Sequence, residues 1–135
     1  MKFSLEKGTR NIIHSYAPGE IKIQQNLQDF DPESGDSMLK SLSCSLILSP
    51  EQLIEDWLET EAELTIEAMQ QVLDLKPEVV LLGTGEVMKF PEANILQNCH
   101  AARIGVEVMN SAAACRTYNV LAAEGRRVCM ALSEI

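Results

Sequence analysis

The run Val79-Val80-Leu81-Leu82 does most to limit the folds open to this chain. Four consecutive branched apolar residues with no polar alternation suit a strand buried on both faces. Such a strand needs a covering layer on each side, and the residues after it supply alternating elements. Gly83-Thr84-Gly85 leaves the strand, and Ile95, Leu96, Cys99 and Ala102 then share one side of a helix that Gly105 breaks. Val106, Val108 and Met109 read as a second strand. Asn110-Ser111 reads as the cap of a helix running to Glu124, with Gly125 just past its end. Val128, Met130 and Leu132 read as a last strand. This β-α-β-α-β order over 78–133 predicts a right-handed parallel crossover between its first two strands. The link into the last strand is too short to set that strand's direction.

The earlier residues read differently. Residues 1–48 are mainly β: Ile12 to Tyr16, then a Pro18-Gly19 turn, then Ile21 and Ile23 alternating with Lys22 and Gln24. A polar loop at 29–37 precedes Leu39, Leu42, Cys44, Leu46 and Leu48, which predict one strand of about eight residues. Residues 49–76 predict two acidic helices. Ser49-Pro50-Glu51-Gln52 has a capping serine, a proline at the first helical position and glutamine three residues after the cap. Leu53, Ile54, Trp57 and Leu58 would form its apolar stripe. A second helix starts at Thr65, with Leu64 and Met69 as a staple and Pro77 as its stop. The expected fold class is α/β: one three-layer domain over 1–135 with a central mixed sheet of about five strands, parallel at its core and antiparallel in its N-terminal strands.

Composition narrows the function classes. The chain has 135 residues and a net charge of −9. Residues 51–78 hold nine acids and one base, whereas 79–135 hold five of each. The acidity disfavours nucleic acid and anionic membrane surfaces as partners. No apolar run approaches the ~18 residues of a membrane span, and residues 1–4 do not open a signal peptide, so the expected location is cytoplasmic. Cys44, Cys99, Cys115 and Cys129 are widely spaced, and His14 and His100 stand alone. That spacing predicts no metal site, no cofactor, and mostly buried, reduced thiols.

Two segments suggest a ligand. Gly83-Thr84-Gly85 is a glycine-rich exit from a strand, able to present N–H groups to a phosphate, although it lacks the full dinucleotide and P-loop patterns. The start of the last helix offers Ser111 and small alanines, with Cys115, Arg116 and Asn119 on one side by the helical wheel. A helix N-terminus would also lower the Cys115 thiol and open a redox role. If both loops leave the carboxyl ends of parallel strands, they form one site. The structural alternative is that the glycines allow a tight turn and the alanines allow close packing. Glu107 and Glu124 lie in apolar context, with Arg116, Arg126 and Arg127 as candidate partners in ion pairs. The acids Glu51, Glu55, Asp56, Glu59, Glu61, Glu63 and Glu67 form a solvated face or meet a basic partner. No complete catalytic set is present in the pattern.

The wording from Glu78 onward resembles a known family. It lies in Glu78 to Gly85, Phe90-Pro91, Gly105 to Met109, Ala113 to Asn119 and Ala123 to Val128, with Ser49-Pro50 and Trp57 before it. The chain resembles a small domain-of-unknown-function family that includes a mitochondrial assembly factor of respiratory complex I. It departs from the family's usual pattern at Asn110-Ser111, commonly Asp-Thr, at Met88, often Gln, and in a longer loop at 29–37. The resemblance implies a three-layer α/β fold and no established catalysis. The expected function is therefore a non-enzymatic assembly or protein-interaction module whose main partner is another protein. The alternative is a small-molecule, anion or nucleotide binder using the Gly-Thr-Gly loop and the N-terminus of the last helix.

Overall fold

A computed structural model describes residues 10–26, 39–59 and 64–135. The expected loop at 29–37, the first nine residues and the acids Glu61 and Glu63 lie outside the described residues. The described elements are β1 (Arg10–Ala17), β2 (Glu20–Asn26), β3 (Leu39–Leu42), β4 (Leu46–Leu48), β5 (Leu53–Glu55), α1 (Ile66–Leu73), β6 (Val79–Thr84), a 3-10 turn at Ala93–Leu96, α2 (Gln97–Ala101), β7 (Gly105–Met109), α3 (Ser111–Ala123) and β8 (Val128–Glu134).

The central sheet has five strands in the order β5-β4-β8-β6-β7. The strand β6 pairs in parallel with both β7 and β8, which settles the direction of the last strand. Strands β4 and β5 add an antiparallel edge. The run Val79 to Leu82 divides between the two faces, as its pattern predicts. Leu81 packs with Met130 and Leu132 on one face, and Val80 and Leu82 pack with Ile47 and Ala131 on the other. The first face is covered by α3 through Ala114, Cys115, Tyr118 and Ala122, and by a separate antiparallel sheet β1-β2-β3 through Ile13, Ile21 and Ile23. The second is covered by Trp57, by α1 through Met69 and Val72, and by Cys99 of α2.

Three expectations are corrected. The strand foreseen from Leu39 to Leu48 is two strands in different sheets, broken at Ser43, Cys44 and Ser45. The N-terminal strands β1 to β3 therefore stand outside the central sheet. The first acidic helix does not form: Ser49 to Gln52 is a tight turn joining β4 to β5. The reason is that the same residues satisfy both structures. Proline suits the second position of a β-turn as well as the first of a helix. The Ser49 hydroxyl accepts from the Gln52 N–H at 3.0 Å in the turn, just as a helix cap would. Two backbone bonds between Ser49 and Gln52 close the hairpin. The apolar stripe then splits, with Leu53 on one face of the sheet and Ile54, Trp57 and Leu58 on the other.

The second helix begins where expected. Thr65 caps α1 by accepting from the Ala68 N–H, and Leu64 and Met69 lie in one apolar cluster. The break after α2 differs in detail. Arg103 carries the left-handed conformation (φ 60°), with Ile104 N–H donating to Cys99 and Arg103 N–H to His100, while Gly105 already belongs to β7.

Candidate functional site

The carboxyl ends of β6 and β8 and the N-terminus of α3 meet at Ser111. This hydroxyl is buried. It donates to the Glu134 carbonyl at 2.6 Å and accepts from the Gly85 N–H at 2.8 Å. The Ser111 N–H donates to the Gly85 carbonyl at 2.8 Å. Asn110 caps α3 through its side-chain oxygen, which accepts from the Ala113 N–H at 2.8 Å. Thr84 closes its own loop, donating to the Val87 carbonyl and accepting from the Lys89 N–H, both at 2.9 Å. A side chain at Gly83 would collide with Leu132 and crowd Ala114, and Gly85 has a φ of +93°. The two nominated segments are thus brought together as expected. Gly85 and Ser111 bond to one another, and the groups at Thr84 and Ala113 are taken by Val87, Lys89 and Asn110.

The wheel misplaces Cys115, which it sets on the open side of α3 with Arg116 and Asn119. Cys115 is 3% exposed and sits in the core with Tyr118, while Arg116 points to solvent and forms no ion pair among the described residues. Burial pushes the Cys115 thiol up to about 12, against the weaker pull of Arg116. This direction is opposite to the lowering expected at a helix N-terminus, because burial penalises the thiolate. Cys129 is likewise pushed up to about 12 by burial. Asn119 serves the fold. Its amide accepts from the Ile13 N–H at 2.8 Å and donates to the Ile13 carbonyl at 2.9 Å, standing in for a neighbouring strand along the free edge of β1. The buried Tyr118 hydroxyl extends this clamp by donating to the Asn11 carbonyl at 2.8 Å. Tyr118 and Asn11 were not singled out from sequence, because their partners lie more than a hundred residues away along the chain for one and across the β4-β5 turn for the other.

The candidate ion pairs also differ. Glu107 and Glu124 are exposed and belong to no salt bridge among the described residues. Glu107 sits on β7, an edge strand, where its carboxylate reaches water and needs no partner. Among the described residues, the pairs that form are Lys40 with Glu55 at 2.6 Å and Arg126 with Glu78 at 3.1 Å. Glu78 also accepts from the Arg127 N–H, and these hydrogen bonds hold its carboxyl below the ordinary range. Arg127 thus contributes through its backbone.

The open space lies beside the nominated segments. A cleft of about 540 Å³ runs along the carboxyl ends of β6 and β8. Leu64, Leu82 and Ile95 form part of its apolar lining, and Thr84, Lys89, Phe90, Glu92, Ser133 and Glu134 complete most of the wall. A neighbouring cavity of about 390 Å³ shares Lys89 and Glu134 with it and adds Glu86 and Val87. The connection from β6 to the 3-10 turn carries Val87, Met88 and Phe90, which are 64%, 46% and 71% exposed. The sequence reading names Phe90 only within the family wording and names neither Lys89 nor Glu134. A clustering of three large apolar residues between Gly85 and Pro91 was the available signal.

The fold is α/β, with an open cleft at the carboxyl ends of the parallel strands β6 and β8, the edge where such sheets commonly place ligands. The family described as "Protein of unknown function (DUF498/DUF598)" matches residues 13–133, and the chain belongs to it. A solved structure of a Bordetella parapertussis protein is similar, with a TM-score of 0.75 and 32% identity over 93% of this chain and 97% of that one. The chain is 27% identical over 129 residues to the Danio rerio protein named NADH dehydrogenase [ubiquinone] 1 alpha subcomplex assembly factor 3. That match covers 94% of this chain and 66% of the relative. It is also 35% identical over 85 residues to the "13 kDa major membrane protein" of Francisella tularensis, covering 62% of this chain and 69% of that one. Among the described residues, no helix is long and apolar enough to cross a membrane.

Proposed function

We propose that this protein is a non-enzymatic interaction module that contacts another protein during assembly of a larger complex, and that residues 86–92 are its contact loop. The observation that carries this reading is the exposure of Val87, Met88 and Phe90 on one short connection. Single exposed apolar residues are ordinary, but a cluster beside a cleft marks an interaction surface. The assembly-factor relative supports a partner in a respiratory complex. The acidic charge supports a protein over nucleic acid as the partner.

Capture from native cells, with the whole chain as bait and mass spectrometry as readout, tests the reading. The expected result is a stoichiometric partner that Phe90→Ser loses. Retention of that partner by Phe90→Ser, or a turnover abolished by Arg116→Ala, counts against it. A second reading is favoured by the cleft volume, which lies within the ~300–1,000 Å³ of small-molecule sites. It predicts amide shifts at the cleft residues with a nucleotide or phosphate panel, and silence there ends it.

A further inference from the structure

The cleft beside the contact loop has a charge pattern that its apolar lining does not require. Glu92 and Glu134 line it, Glu86 lines the adjoining cavity, and Lys89 is the one basic residue lining either space among the described residues. None of these carboxylates belongs to a salt bridge among the described residues. In water that costs little, so the acids by themselves mean nothing. Their position matters. They border an apolar cleft of about 540 Å³ whose wall includes the exposed Phe90. Any partner that covers Phe90 and Val87 strips water from these carboxylates too. A purely apolar partner would leave them desolvated without counter-charge, and an acidic one would add repulsion. A segment carrying both apolar and basic side chains satisfies the wall and the rim together.

We propose that this cleft receives a segment of the partner protein in which apolar side chains adjoin lysine or arginine, the apolar groups entering against Leu64, Ile95 and Phe90 and the cations meeting Glu86, Glu92 and Glu134. This rests on the reading of residues 86–92 as a contact loop. It adds the chemistry of what is bound: the apolar wall supplies area, and the carboxylates set orientation and reject acidic competitors.

The test uses the 15N-labelled full chain and three capped hexapeptides in which leucine alternates with lysine, glutamine or glutamate. The lysine peptide is expected to shift the amides of Leu82, Thr84, Lys89, Ile95 and Ser133, and to bind about tenfold more tightly than the glutamine peptide at low salt. The variant Glu86→Gln/Glu92→Gln/Glu134→Gln should keep the native spectrum and lose that preference. No shifts at the cleft, equal binding of the three peptides, or a preference untouched by the triple variant overturns the proposal. Capture of the native partner separates the two readings. If Phe90→Ser loses the partner and the triple variant keeps it, the basic segment is wrong and the contact loop survives. If neither variant loses it, both readings fall.

Discussion

Two neighbouring regions at the carboxyl edge of the sheet use their polar groups in opposite ways. Around Gly83, Gly85 and Ser111, donors and acceptors meet one another within the protein, and the closest approach leaves no room for a side chain at Gly83. Across residues 86–92, apolar side chains face solvent and the nearby carboxylates have no ion-pair partner among the described residues. The first region carries the more familiar sequence signals, and the second carries the free surface. Glycine and capping residues announce backbone conformation, and backbone conformation here is spent on joining β6, β8 and α3.

Substitutions can break this comparison. Gly83→Val should have the largest effect, a loss of about 3 kcal/mol in urea unfolding, because the new side chain has to displace Leu132 and Ala114 from a packed contact. A near-neutral result would mean that this corner is loose enough to admit a ligand. Ser111→Ala should cost about 1–3 kcal/mol, since it leaves the Gly85 N–H and the Glu134 carbonyl without their partner. If it instead leaves stability intact, the hydroxyl is available for other work.

Alkaline titration sharpens the same contrast. Cys115 and Cys129 are pushed up to about 12 in the folded chain from an ordinary value of 9.0. The unfolded chain therefore ionises first. Stability should be fully present below about pH 9 and should fall as pH rises toward 12, by about 1–2 kcal/mol per thiol near pH 10.5. Melting temperatures across that range check the sign, and rapid alkylation of Cys115 in the native protein near pH 8 would contradict it. The smallest effect on stability belongs to Phe90→Ser, expected within about 0.5 kcal/mol because the ring is already in water. A large destabilisation would show that the loop is part of the core and would remove it as a contact surface.

Much of the fold was legible because local pattern and final burial agreed. The strand at Val79 to Leu82, the Thr65 cap, the Asn110 cap and Gly125 past the end of α3 all lie where their residue types predict. The α3 wheel was less informative. Its alanines give a weak amphipathic signal, so the wheel groups Cys115 with Arg116 and Asn119, whereas Cys115 and Tyr118 are buried and Val120 is exposed. Asn119 looked like a ligand residue because its polarity was visible and its partner was not. The backbone edge of β1 that it binds is 106 positions away.

The sequence by itself determined the strand–helix alternation of residues 78–133, the acidic middle segment and the helix boundaries that carry caps, because each depends on neighbours along the chain. Only the tertiary structure decided that Ser49 to Gln52 turns a hairpin, that β1 to β3 form their own sheet, and that β8 lies between β4 and β6. It also decided which polar groups remain available. A hydrogen bond between Ser111 and Glu134, or between Asn119 and Ile13, depends on distant segments being brought together, and short-range pattern holds no record of that contact.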